Sequence, residues 1–269
     1  MNLSSHHPNS IKIKMERITE TDITFLRHPE IELKARIYRN ENKDPQPTIV
    51  DVHSGAWTYQ DRTAGAQYDR HLARSGFTVI AIDHRQGPNY KHPSASEDVE
   101  SGIKFAHENA AKYGGNPDKI GIIGSSSGGH LAFLGGITSK HKVDYIIACW
   151  PISNPAYRYE YAKKKNRQGL IDAHEGYFVT LEKMHEASVQ HVLDTGKWSQ
   201  LPPTLIVESG KDLNAPREMT ADLIRAYKAA GGYFEHAFYP GEEHCFGHSA
   251  SPATDSFNEL IACFAQRHS

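Results

Sequence analysis

The spacing of hydrophobic positions changes along this chain, and the changes divide it into elements. Residues 11–15, 23–26 and 31–38 alternate apolar with polar positions, as half-buried antiparallel strands at a sheet edge do. A polar turn at 40–47 follows. Beyond it a short central strand is expected at 48–53, and the runs at 77–82 and 145–150, the isoleucine-rich run that begins at Lys119, and the run at 204–207 are mostly apolar. Such runs predict strands buried on both faces. A further strand is expected at 233–239.

Helical spacing fills the intervals. It covers 62–75 and stops at Gly76. It resumes at Ser94 or Ser96 with Glu97 and Asp98 in the first turn, where the helix dipole favours acids, and ends at Tyr113-Gly114-Gly115. Further helices are expected directly after Ser126, at 218–230 and at 254–267. Residues 152–199 break the alternation; they carry the basic run Lys163-Lys164-Lys165 and one helix over 177–193. Strands alternating with helices predict an α/β fold, a mostly parallel central sheet with helices on both faces. With no internal repeat and no linker, residues 1–269 are expected to form a single domain, with 152–199 as a small cap over the strand ends.

The chemistry concentrates at Gly124-Ser125-Ser126-Ser127-Gly128, which reads G-x-S-x-G between a buried strand and a helix. Glycines flanking the turn let strand and helix pass closely, lifting the Ser126 hydroxyl clear of the sheet. A serine hydroxyl needs a base to take its proton and a third group to orient that base. In such sheets these partners follow in the order acid, then histidine, on loops after later strands. Asp212 occupies the loop after the strand at 204–207, with Glu208 as its rival nearer the strand end. His244 occupies the turn after the last strand, with His248 as the alternative. His53-Ser54-Gly55-Ala56-Trp57 follows an early central strand, where backbone donors for an oxyanion are supplied in this kind of sheet; Gly55, Ala56 and Ser127 N–H groups are the candidates. Trp57, Tyr59, Trp150, Tyr157, Tyr161 and Phe246 fall on segments that could line an aromatic-friendly substrate pocket.

Composition narrows the classes. A formal net charge of -2 gives no reason to expect nucleic acid or an anionic membrane as partner. No apolar stretch approaches a membrane span, and the polar first ten residues hold no signal-like core, so a cytoplasmic protein is the expectation. Three scattered cysteines, Cys149, Cys245 and Cys263, give neither a disulfide framework nor zinc spacing. His185-Glu186 starts like a zinc-protease motif, but the next histidine is His191, and at helical pitch the two rings would lie well apart. No metal or other cofactor is called for.

Several motifs in order resemble the α/β-hydrolase superfamily, and within it the hormone-sensitive-lipase-like and feruloyl or acetyl esterase group. His53 to Trp57 is similar to H-G-G-G-W, Asp83-His84-Arg85-Gln86-Gly87-Pro88 to D-Y-R-L-A-P, and His92-Pro93 through Asp98 to F-P-x-x-x-x-D. Gly124 to Gly129 is similar to G-D-S-A-G-G, and Asp212 to Pro216 to D-x-x-x-P. The resemblance covers nearly the whole chain. It implies a Ser126, Asp212, His244 triad, an oxyanion hole from Gly55, Ala56 and Ser127, and structural roles for Arg85 and Asp98. It departs from the family at Ser54 and Ala56, which replace loop glycines, and at Ser125 and Ser127. The expected function is hydrolysis of a small carboxylic ester through an acyl-enzyme, by a monomer or homodimer acting on a small molecule. Hydrolysis of a small N-acyl compound, as by an arylformamidase, is the alternative. A binding protein that has lost catalysis is disfavoured because all three triad positions are filled.

Overall fold

The computed structural model describes residues 17–41 and 45–269. The strand expected at 11–15 lies outside the described residues. Eight strands form one sheet: β1 (Ile18–Arg27), β2 (Glu32–Asn40), β3 (Gln46–Val52), β4 (Thr78–Ile82), β5 (Gly115–Ser125), β6 (Tyr145–Cys149), β7 (Thr204–Ser209) and β8 (Phe234–Tyr239). Their spatial order is β1-β2-β4-β3-β5-β6-β7-β8. The alternating segments 23–26 and 31–38 lie in β1 and β2, which pair antiparallel at one edge, and β2 joins the rest antiparallel to β4. From β4 to β8 every pairing is parallel.

The apolar runs are continuous because successive side chains serve two cores. Ile49, Ile123, Ile147 and Leu205 face the helices α1 (Ala66–Arg74) and α9 (Pro252–His268). Their neighbours Val50, Ile122, Ile146 and Ile206 face α2 (Ser94–Asn109), α3 (Ser127–Thr138) and α8 (Arg217–Ala229). This is the two-residue period of a strand read through a sheet covered on both sides.

Some boundaries move. The helix expected over 62–75 begins only at Ala66, because Asp61 holds a preceding turn, its carboxylate accepting from the Thr63 N–H at 2.8 Å. α2 starts at Ser94 behind Pro93, with no side-chain cap. The larger correction falls between β6 and β7, where four helices stand: α4 (Pro155–Lys164), α5 (Gln168–Phe178), α6 (Leu181–Glu186) and α7 (Val189–Asp194). The single helix expected over 177–193 is therefore three pieces. Val179 takes a φ of 69°, Thr180 caps α6 by accepting from the Lys183 N–H, and Ser188 caps α7 by accepting from the His191 N–H. A capping hydroxyl offers the backbone a competing partner inside an otherwise helical pattern.

Candidate active site

Ser126 sits between β5 and α3 with φ 56° and ψ -119°, a conformation that costs a non-glycine residue of order 1–3 kcal/mol. Its surroundings hold it there. Its N–H donates to Cys149 O at 2.9 Å, and its carbonyl accepts from the His130 and Ile152 N–H groups, both at 3.1 Å. A Cβ on Gly124 would lie 2.3 Å from Gly128 O, and one on Gly128 would lie 2.0 Å from Val52 O. Strand and helix cross too closely there for any side chain.

From this turn a hydrogen-bonded chain leads across three loops. His244 Nε2 is 2.8 Å from Ser126 Oγ, and His244 Nδ1 is 2.6 Å from Asp212 Oδ2. The other oxygen, Asp212 Oδ1, accepts from the Asn214 N–H at 2.7 Å and the Ala215 N–H at 2.8 Å. Both rivals point elsewhere. Glu208 accepts from Arg217 Nε and lies 2.9 Å from His236 Nε2, and His248 Nε2 meets Ser125 Oγ at 3.1 Å. Burial lowers the basicity of His244, but hydrogen bonds to Asp212 and to the adjacent Cys245 more than reverse this and raise its pKa to about 9.

The loop after β3 makes a left-handed turn. Gly55, Ala56 and Trp57 all have positive φ, at 112°, 49° and 62°. The Gly55 carbonyl closes it by accepting from the N–H groups of Thr58 and Tyr59, and a Cβ on Gly55 would lie 1.7 Å from Tyr59 O. Ala56 thus adopts a conformation in which glycine costs less. Ser54 Oγ donates to Gln60 Oε1. Beneath the loop the His53 and His84 rings stack with centroids 4.1 Å apart. Burial lowers their pKa values to about 4 and about 3, so both are neutral near pH 7. Ser127, the first residue of α3, follows Ser126 directly.

The aromatic residues expected around a pocket divide. Trp57 and Trp150 are 0% and 1% exposed, sealed in the interior rather than facing a substrate. Trp57 is enclosed by His130, His174, Tyr177 and Phe178, and Trp150 by Phe246, His248 and Phe257. The Trp57 indole N–H donates to His130 Nδ1 at 3.2 Å, which leaves the His130 proton on Nε2 to reach Ala187 O at 2.7 Å. Phe246 is half-buried against Trp150, Tyr239 and Phe257. Tyr59 is exposed and, with Ala56, Arg167, Gln168, Gly169 and Leu170, lines a cavity of about 360 Å³.

Two further expectations are settled by position. Asp98 is fully buried, accepts from the Arg85 N–H at 2.7 Å and from Arg85 Nε at 3.0 Å, and meets His28 Nε2 at 2.9 Å. It ties the 83–93 loop to the β1–β2 turn. His185 and His191 do not lie apart as helical pitch predicts; their rings are 5.2 Å apart, because α6 ends and α7 restarts between them. Among the described residues no group of three or more His, Cys, Asp or Glu is placed to hold a metal ion. Sequence reasoning missed Arg158, His130 and the Asn214 and Ala215 amides. Arg158 had one signal, its spacing with Pro155 and Ala162 on the buried face of α4.

Known proteins resemble this chain in sequence and in fold. The chain is 26% identical over 245 residues to Esterase LipC of Mycobacterium tuberculosis, covering 82% of this chain and 58% of that protein. It is 26% identical to an arylesterase of Saccharolobus solfataricus, covering 78% of this chain and 68% of the relative. A probable isoprenylcysteine alpha-carbonyl methylesterase of Oryza sativa is 37% identical over 75% of this chain and 52% of its own length. The chain thus spans little more than half the length of LipC and the rice protein. A hyperthermophilic esterase from the archaeon Pyrobaculum calidifontis superposes with a TM-score of 0.81 at 25% identity, over 94% of this chain and 87% of that one. The model of the BD-FAE family matches residues 36–219, which take in the loop after β3, the Ser126 turn and Asp212. The chain therefore belongs to the BD-FAE family and has the α/β-hydrolase fold that its motifs led us to expect.

Proposed function

We propose that this protein is a serine hydrolase that cleaves a small carboxylic ester through an acyl-enzyme. The observation that carries the reading is the unbroken chain from Ser126 Oγ through His244 to Asp212, at 2.8 and 2.6 Å. The esterases named above add support from similarity.

In this reading neutral His244 takes the Ser126 proton as Oγ attacks the ester carbonyl. The carbonyl π electrons move onto oxygen, where the N–H groups of Ala56 and Ser127, with Gly55 beside them, receive the charge. His244, now protonated, gives its proton to the departing alkoxide as the C–O bond breaks. Water repeats the sequence on the acyl-enzyme: His244 takes its proton, hydroxide adds to the acyl carbon, and Ser126 leaves with the proton returned. Asp212 fixes the imidazole tautomer, and the two backbone amides on its Oδ1 hold the carboxylate against His244.

The test is hydrolysis of p-nitrophenyl esters from acetate to decanoate, with formanilide alongside and a fluorophosphonate as covalent probe. Turnover of short esters and labelling of Ser126, both lost in Ser126→Ala, are expected. Formanilide cleavage well above ester cleavage would instead make the protein an amidase, and no turnover with no labelling would remove the hydrolase reading.

A further inference from the structure

One buried charge is left over by this chemistry. Arg158 lies on α4, whose buried positions are Pro155, Arg158 and Ala162, one face of the helix. A guanidinium therefore occupies a position that an apolar side chain fills in an ordinary packed helix. Arg158 is 2% exposed, with its guanidinium carbon 5.8 Å from the centroid of the Trp57 ring. Its Nε and Nη1 are buried with no hydrogen-bond partner among the described residues. Other arginines contrast with it: Arg85 has Asp98 and Glu97, and Arg62 has Asp22 and Asp83. Burial lowers the Arg158 pKa to about 10, which still leaves it charged near neutral pH.

The described residues do not supply the missing partner. The ionisable groups that act most strongly on Arg158 are Tyr59, Asp212, Arg167 and Cys245. Asp212 is the only carboxylate among them, and both of its oxygens are engaged, one by His244 and one by two backbone amides. A charged fork buried with unmade hydrogen bonds is costly, and an external anion that accepts from it would remove that cost. Arg158 does not itself line the cavity beside Ala56, but two of the groups that act on it do. Tyr59 and Arg167 line the cavity of about 360 Å³, and Ala56 of the left-handed turn lines it too. The volume suits a chain of a few carbons. Arg167, whose Nη1 donates to Leu213 O at 2.6 Å, adds a second positive charge beside that cavity.

We propose that Arg158 binds a carboxylate carried by the substrate, a few atoms from the scissile ester, so that the preferred substrates are acid-bearing esters such as half-esters of short dicarboxylic acids. The proposal rests on the serine-hydrolase reading for its scissile bond, and on Arg158 alone for its specificity. Arg158 is a specificity residue, with no part in proton transfer.

The experiment has a catalytic arm and a binding arm. In the first, the wild type hydrolyses the p-nitrophenyl half-ester of glutaric acid at least ~10-fold better in kcat/KM than p-nitrophenyl valerate, and Arg158→Gln brings that ratio down to about one, chiefly through KM. Arg158→Lys, which keeps the charge and loses the fork, retains part of the preference. Removing an unpartnered buried charge leaves Tm equal or higher in Arg158→Gln. In the second arm, calorimetry on Ser126→Ala finds monomethyl glutarate bound more tightly than dimethyl glutarate, and the difference vanishes in Ser126→Ala/Arg158→Gln. Equal rates for the two esters in the wild type, or equal losses on both with a lower Tm in Arg158→Gln, would overturn the proposal and make Arg158 structural. If no ester is turned over, the hydrolase reading fails by itself, and the binding arm still decides: equal affinity for the two glutarates overturns the carboxylate site.

Discussion

The Asp212 carboxylate divides its two oxygens between a ring and a backbone: Oδ2 lies 2.6 Å from His244 Nδ1, and Oδ1 accepts from the amides of Asn214 and Ala215. One oxygen is anchored so that the other can act on the imidazole. That hydrogen bond is the largest influence raising the His244 pKa, against burial, to about 9. In the proposed reaction the neutral ring is the base, so ester hydrolysis should rise with pH through that region. Asp212→Asn removes the charge that favours imidazolium, so the acid limb of its residual activity should move to lower pH. Its kcat should fall ~10⁴-fold, as the ring loses its tautomer. A pH-rate profile of both proteins checks this; a limb that stays in place would show that Asp212 does not set the basicity of His244.

The turn that carries Ser126 depends on close backbone contact. Gly128→Ala would place a methyl 2.0 Å from Val52 O and 2.4 Å from His53 O, atoms of a central strand that cannot move aside. A loss of at least ~3 kcal/mol is expected, the upper range for overpacking. Gly241 has nothing within 4 Å of the corresponding position, so Gly241→Ala should keep its Tm within about a degree or two. Thermal melts of the pair test whether contact rather than glycine content decides.

A second buried cluster governs stability. Asp51 and Asp69 are fully buried near each other, and Tyr68 Oη donates to Asp51 Oδ1 at 3.0 Å. Burial raises the Asp51 pKa from 3.8 to about 7, and burial with the Asp51 charge raises that of Asp69. The folded state thus holds protons that the unfolded chain has released. Stability from this source is complete below the unfolded carboxylate value and is lost as pH rises through about 7. Asp51→Asn, neutral at every pH, should gain Tm relative to wild type between pH 5 and pH 8, by several degrees at the upper end. A Tm difference independent of pH would mean that Asp51 is not the group that titrates.

Trp57→Phe keeps a ring among His130, His174, Tyr177 and Phe178 but leaves His130 Nδ1 without its donor. A buried acceptor without a partner costs ~1–3 kcal/mol. The expected result is a lower Tm together with a lower kcat, because Trp57 adjoins Ala56 in the left-handed turn. Full activity in a destabilised variant would separate the ring from that turn.

Most of the fold was legible because apolar runs and helical spacing are local signals. The runs in β4 to β7 could be read as buried strands from Ile, Val and Leu, and Ser126 from its glycines. Asp212 and His244 were legible as positions in an order of loops, whereas Glu208 and His248 could be set aside only once side-chain directions were known. What escaped depends on tertiary packing. Thr180 and Ser188 interrupt a pattern that is helical on paper, and this brings His185 against His191. Trp57 lies in a turn and Trp150 directly after β6, yet both end in the interior, since a residue beyond a strand end can turn inward where space remains. Arg158 was hidden beside Lys163-Lys164-Lys165, where a positive residue reads as one more solvated charge.

The path from Trp57 to His130 to Ala187 has a mechanical consequence. It joins the turn after β3, the helix that begins behind Ser126 and the α6–α7 junction through two buried hydrogen bonds. Burial holds the His130 pKa down at about 4, so the linkage stays intact throughout the neutral range. Prising these three segments apart would strand buried polar atoms on Trp57, His130 and Ala187 without partners, so they are expected to move as one body rather than against each other.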